Sequence, residues 1–198
     1  LRRELVERGL QTIRHPYSPK KWCRSLTDVT PYFSPDVCRR SGGVYILGGI
    51  GVYVTEFERV WAQLVKRYRP NDRWDNSSLL SSDLWTVGGF FNAPPVLSDS
   101  KAAVLRERQW IDKILAAMDE LPGTLPHLLD DLERGKCGPY PAPLFRGNFI
   151  RTRVFFRWLR ENGYAVPEMA ADRPRGLIST PSEPILQALE NTDRLDEM

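Results

Sequence analysis

The sequence predicts a single α+β domain in which a small, mostly antiparallel sheet from the N-terminal half packs with helices from the C-terminal half. Two observations carry this. Runs of β-branched and aromatic residues punctuated by Gly and Pro concentrate in the first half, and apolar residues at helical spacing with capping signals dominate the second. At 198 residues the chain is long enough to bury about 70% of the surface its unfolded form would expose, so one core suffices without staples. Either half alone would be small for an independent core. The stretch 168–198 is expected to be a largely irregular acidic tail.

Leu1 to Leu10 reads as a short amphipathic helix, with Leu1, Leu5 and Val6 on one side and Gly9 as its stop. Pro16, Pro19, Pro31 and Pro35 punctuate the next segment, so Trp22–Leu26 and Val29–Phe33 are expected as short strands at a sheet edge, because proline cannot donate to a ladder. Gly43 to Val54 carries the strongest strand pattern, and its glycines suggest a bulge or a close backbone approach. Thr55 is the expected N-cap of the next helix, with Glu56 and Glu58 in the first turn, where the helix dipole favours negative charge. Phe57, Val60, Trp61, Leu64, Val65 and Tyr68 form its apolar face until Pro70. Asn71 to Ser82 reads as loop and Asp83 to Phe91 as a second strand.

From Ser98 or Ser100 to Leu121 the stripe Val104, Ile111, Ile114, Leu115, Met118 and Leu121 predicts a long helix, capped by Ser98, Asp99 or Ser100 and ended by Pro122-Gly123. Thr124 caps a shorter helix through Leu132, closed by Gly135. Gly138 to Pro143 is expected to be irregular. Asn148 caps a third helix to Asn162, with Gly163 at the left-handed stop position. A last helical turn or two fits Ile185 to Leu189.

Composition excludes several classes. The cysteines Cys23, Cys38 and Cys137, three in number, do not make a disulfide framework. The longest uncharged run, Ser41 to Thr55, is shorter than the roughly 20 residues a membrane span needs and contains five glycines. No secretory leader is evident, so the expected location is a reducing cytoplasm without membrane association. No Cys-x-x-Cys or His-Glu-x-x-His stands in the chain, and neither His15 nor His127 has a local ligand partner, so neither a metal nor a cofactor is expected. Gly48-Gly49-Ile50-Gly51 lacks the adjoining helix and the Gly-Lys-Ser/Thr of a phosphate loop. No catalytic motif emerges; a fold-assembled pairing of Cys38 or Cys137 with a histidine has no local sequence support, and the plentiful carboxylates single out no pair.

The net charge of +3 conceals segregation. Residues 1–70 carry +7, 71–133 carry −6, 134–160 carry +7 and 161–198 carry −5. Such blocks fold against one another or present a partner with charged faces; neutralisation within the chain is the favoured expectation. Two patches stand out. Asp119, Glu120, Asp130, Asp131 and Glu133 form an acidic one. Arg153, Arg157 and Arg160 share one helix face, with Arg146 upstream at matching spacing and Phe149, Phe156, Trp158 and Leu159 on the apolar side.

A short N-terminal helix, the Trp22-Cys-Arg-Ser-Leu26 strand, the Gly43–Val54 strand running into a helix, and a helical C-terminal half with an acidic end together resemble small bacterial cytoplasmic immunity proteins. These belong to polymorphic-toxin and contact-dependent growth inhibition systems. The resemblance implies a non-catalytic protein that binds one cognate toxin domain and occludes its active site with charge complementarity. It assigns no site residue. The expected toxin-facing patch is Asp119, Glu120, Asp130, Asp131 and Glu133, with Arg153, Arg157 and Arg160 as the competing choice. Immunity proteins against nuclease toxins tend to be acidic overall, and this chain departs from that pattern, since only the segments 71–133 and 161–198 are acidic. The alternative function is a nucleic-acid-binding accessory protein that uses the Arg-rich helix 146–160, where arginine and aromatic side chains interleave.

Overall fold

A computed structural model of the chain describes residues 1–13, 21–40, 43–69, 80–83, 101–141, 149–166 and 183–198. The first helix, α1, spans Arg2–Glu7. It ends where the sequence places its stop: Gly9 has φ +77°, its N–H donates to the Val6 carbonyl and that of Leu10 to Leu5. This is the paired bonding of a Schellman stop, which needs a left-handed residue that glycine adopts without steric cost. Leu5 is buried, whereas Val6 is exposed rather than part of the apolar side.

Five strands form an antiparallel meander in chain order: β1 Gln11–Ile13, β2 Lys21–Cys23, β3 Val29–Arg40, β4 Gly43–Val54 and β5 Leu80–Asp83. Three local expectations are corrected. β3 is twelve residues long and lies between β2 and β4, so Pro31 and Pro35 do not confine it to an edge. The physical reason is the shortness of β2, whose ladder to β3 is a single bridge, Trp22↔Phe33, flanked by the two prolines. The glycines of β4 introduce no bulge: the register runs unbroken from Val29↔Val54 to Arg40↔Gly43. β5 starts at Leu80, inside the expected loop, and the expected strand beyond Asp83 lies outside the described residues.

The register sorts the sheet into two buried faces. Trp22, Val29, Phe33, Ile50, Val52 and Val54 join the main core beneath the helices. On the other face Ile13, Cys23, Tyr32 and Tyr53 form a second cluster. Lys21, only 4% exposed, lies there with Nζ 4.6 Å from the Tyr32 ring centroid and 5.5 Å from that of Tyr53. Burial on both faces over Ile50–Val54 explains why this end of β4 reads as a continuous apolar run rather than an alternation.

The helix α2, Thr55–Tyr68, leaves β4 without a loop. Its flanking residue is Val54 and not Thr55, whose hydroxyl instead donates to the Thr27 carbonyl at 2.8 Å. Phe57, Trp61, Leu64 and Val65 are buried as the periodicity predicts. α3, Lys101–Asp119, buries Ile111, Ile114, Leu115 and Met118, and Trp110 meets Phe33 edge-on at 6.1 Å; Val104, at the start of the predicted stripe, is exposed. The expected caps Ser98, Asp99 and Ser100 lie outside the described residues.

α4, Leu125–Glu133, is capped by Thr124, whose hydroxyl accepts from the His127 N–H at 3.4 Å. Next comes a hairpin of two short strands, β6 Lys136–Cys137 and β7 Tyr140–Pro141, which corrects the irregular reading of Gly138 to Pro141. α5, Phe149–Glu161, ends with Gly163 at φ +77° and the bonds of a Schellman stop, Gly163 N–H to Arg160 and Tyr164 N–H to Leu159. Arg146 and the expected cap Asn148 lie outside the described residues.

The expectation of a largely irregular tail is corrected over its last part. α6, Glu183–Asn191, and a 3-10 turn at Leu195–Glu197 bury Ile185, Leu186, Leu189, Leu195 and Met198 in the main core. Apolar residues recurring at i, i+1 and i+4 supply the stripe that seats this short helix. No helix among the described residues is long and apolar enough to cross a membrane.

Candidate interaction surface

The acidic patch of the sequence becomes a corner built from the end of α3, from α4 and from the β6–β7 hairpin, and its carboxylates divide into two groups. Asp131, only 1% exposed, accepts the Gly138 N–H at 2.5 Å and lies 3.3 Å from Lys136 Nζ and 4.0 Å from His127 Nε2. It therefore holds the hairpin from inside and cannot meet a partner. Gly138, at φ +62°, presses so closely on α3 that an added Cβ would stand 2.5 Å from the Glu120 carbonyl oxygen. Asp119 takes both ends of the Arg24 guanidinium at 2.7 Å each, a bidentate pair that fixes orientation as well as charge. Asp130 pairs with Arg134 at 2.8 Å on the same helix. Glu120 and Glu133 are exposed, and Glu120 helps to raise the pKa of the neighbouring Tyr140 hydroxyl, chiefly a burial effect.

Cys137 stands in this corner beside Asp131. Burial pushes its thiol up to about 12, and the charge of Asp131 adds to the effect. A nucleophilic cysteine needs the opposite shift, so this thiol stays protonated at neutral pH. Burial also raises the Cys23 thiol. Among the described residues no group of three or more His, Cys, Asp or Glu is arranged to hold a metal.

Arg24 joins the acidic corner to the β2–β3 loop, residues 24–28. Three threonines knot that loop. Thr27 N–H donates to the Thr30 hydroxyl at 2.9 Å, and the Thr30 hydroxyl donates back to the Thr27 carbonyl at 2.9 Å. The Thr27 hydroxyl donates to the Val29 carbonyl at 2.6 Å. Thr55 ties the knot to the start of α2 through its hydroxyl, to Thr27, and its N–H, to Asp28 at 2.9 Å.

The competing arginine face is placed differently. Arg157 donates to the Leu189 and Thr192 carbonyls at 2.7 and 2.5 Å, so it closes the C-terminal end of α6, where a cation also complements the helix dipole. Arg153 lies 3.7 Å from Glu190, and Arg160 is exposed. Among the described residues, Arg8 with Asp112, Arg108 with Glu4 at 3.4 Å, and Arg24 with Asp119 join the first two charge blocks, and Arg153 with Glu190 joins the last two.

Outside either patch, two further charged residues are deeply buried. Glu58 and Arg151, each 2% exposed, form an ion pair between α2 and α5. The guanidinium carbon lies 5.7 Å from the Phe57 ring centroid and 5.3 Å from that of Trp61. Sequence periodicity carries a signal for both. Arg151 precedes Val154, Phe155 and Trp158 by three, four and seven positions, and Glu58 precedes Trp61 and Val65 by three and seven, so each stands on an apolar stripe with opposite charge. No family model matches the chain, nor does any curated protein or solved structure.

Proposed function

We propose that the protein is a non-catalytic binding protein, a cytoplasmic immunity protein that neutralises a cognate toxin domain by occluding its active site. The observation that carries it is the acidic corner: Glu120 and Glu133 are exposed on a frame that Thr124, Asp131, Gly138 and the Arg24–Asp119 pair hold rigid. Rigid presentation of like charges lowers the ordering cost of docking and speeds encounter with a basic surface. Burial raises the Cys137 thiol, which argues against that residue as a nucleophile; the Cys38 side chain and His15 lie outside the described residues. The nucleic-acid alternative draws on the helix 146–160, where Arg157 is engaged with α6, Arg153 lies 3.7 Å from Glu190, Arg160 is exposed and Arg146 lies outside the described residues.

The test is binding to the toxin domain encoded beside this gene, measured by surface plasmon resonance at several salt concentrations. Tight 1:1 binding is expected. The double variant Glu120→Lys, Glu133→Lys should slow association about tenfold or more and flatten its salt dependence. Unchanged association kinetics would remove the acidic corner from the interface, and absence of any toxin-like neighbour would remove the immunity function.

A further inference from the structure

We propose that residues 183–198 form a releasable strap locked by Arg157. Seated, the strap covers α2 and α5; released, it opens that side of the two helices and frees Arg157 while the rest of the fold stays in place. This device does not depend on the partner proposed above. α6 rests against both α2 and α5, and the 3-10 turn rests against α5. Ile185, Leu186, Leu189, Leu195 and Met198 are buried in this seating. A helix of nine residues is marginal in water on its own, so α6 has two conditions, docked and helical or undocked and unwound.

The polar ties of the strap run to the same two helices. Arg157 donates to the Leu189 and Thr192 carbonyls at 2.7 and 2.5 Å, and Glu161 accepts the Leu195 N–H at 2.8 Å. The Tyr68 hydroxyl donates to the Met198 carbonyl, and Arg153 lies 3.7 Å from Glu190. The carbonyls that Arg157 takes stand at the end of α6, where a helix leaves its last acceptors without internal partners. One guanidinium supplies both charge-assisted bonds, which makes it the lock. α2 and α5 are also joined to each other directly, through the buried Glu58–Arg151 pair and through Phe57, whose ring centroid lies 5.0 Å from that of Phe155 and 6.0 Å from that of Trp158. A contiguous element seated on a pair with its own cohesion is the kind of unit that opens at a lower free energy than the whole fold.

The test is native-state hydrogen exchange, read by mass spectrometry on the full chain and on the variants Arg157→Met, Glu161→Ala and, as a control, Arg134→Met, which loses only the pair with Asp130 on α4. In the parent, the amides of α6 and the 3-10 turn should exchange together, at least about tenfold faster than the slowest amides of α3 and α5. Arg157→Met should speed them a further tenfold or more and Glu161→Ala by a smaller factor, with α3 and α4 staying within about twofold of the parent. Arg134→Met should leave the strap unchanged. Protection of 183–198 equal to that of α3 in the parent overturns the strap, and so does a variant at Arg157 or Glu161 that speeds exchange throughout the molecule or fails to fold. A strap that opens separately but does not respond to Arg157→Met overturns the lock.

Discussion

Replacing Arg151 by methionine isolates the buried charge in the helix layer. Methionine keeps a flexible apolar chain against Phe57 and Trp61 but leaves Glu58, at 2% exposure, without its guanidinium partner. Breaking a buried pair from one side costs about 3–5 kcal/mol, and the lost cation–π contact deepens the deficit by roughly 0.5–2 kcal/mol. For a chain of this size each kcal/mol moves the melting midpoint by about 2–4 °C, so the pair term alone predicts a fall of roughly 6–20 °C. The double variant Glu58→Leu, Arg151→Met should recover most of the loss, because two packed apolar residues replace an ion pair at little cost. Urea unfolding monitored by tryptophan fluorescence gives the stabilities and, through the cycle of variants, the coupling. An Arg151→Met protein within about 1 kcal/mol of the parent, with no gain in the double variant, would refute the placement of this pair.

The acidic corner yields two further expected outcomes. Cys137 should resist iodoacetamide in the folded protein at pH 8 and react only on unfolding. Its folded pKa is raised from 9.0 to about 12, so its contribution is complete below pH 9 and disappears as pH rises toward 12. Over that window stability should fall by about 1.4 kcal/mol per pH unit from this group, and Cys137→Ala should remove the slope. Gly138→Ala should destabilise by more than about 2 kcal/mol in chemical denaturation, since the methyl meets the Glu120 carbonyl as well as the positive φ. Gly9→Ala, with φ +77° and nothing within 4 Å of an added Cβ, should show only the conformational cost of roughly 1–2 kcal/mol; equal losses at the two positions would deny the close approach at Gly138.

Local rules make much of the fold legible. The α+β class, the bounds of β4, the apolar face of α2 and the stops at Gly9, Gly135 and Gly163 are stated by periodicity and by glycine in the left-handed region. The illegible parts depend on neighbours distant in sequence. Pro31 and Pro35 suggest an edge because nothing local reveals how short β2 is. Thr55 resembles a cap because the Thr27 carbonyl that claims its hydroxyl lies 28 positions earlier. The acidic patch reads as one cluster, yet Asp131 faces inward to Gly138 while Glu133, two residues on, faces water, a distinction set by the hairpin that folds back over α4. Glu58 and Arg151 each stand on an apolar stripe in the sequence, but that they meet across α2 and α5, which offsets the cost of burial, depends on positions 93 residues apart.

The pairing of charge blocks also sets a timetable. Arg8 waits 104 residues for Asp112, Arg24 waits 95 for Asp119 and Glu58 waits 93 for Arg151. At a synthesis rate of about 5–20 residues per second, each half of these pairs emerges on the order of 5–20 s before its complement. During that interval the nascent N-terminal segment is a basic, partly apolar chain whose sheet has one face uncovered by α3 and α5. The same downstream helices that bring the carboxylates and the guanidinium also bring the cover for Phe33 and Phe57.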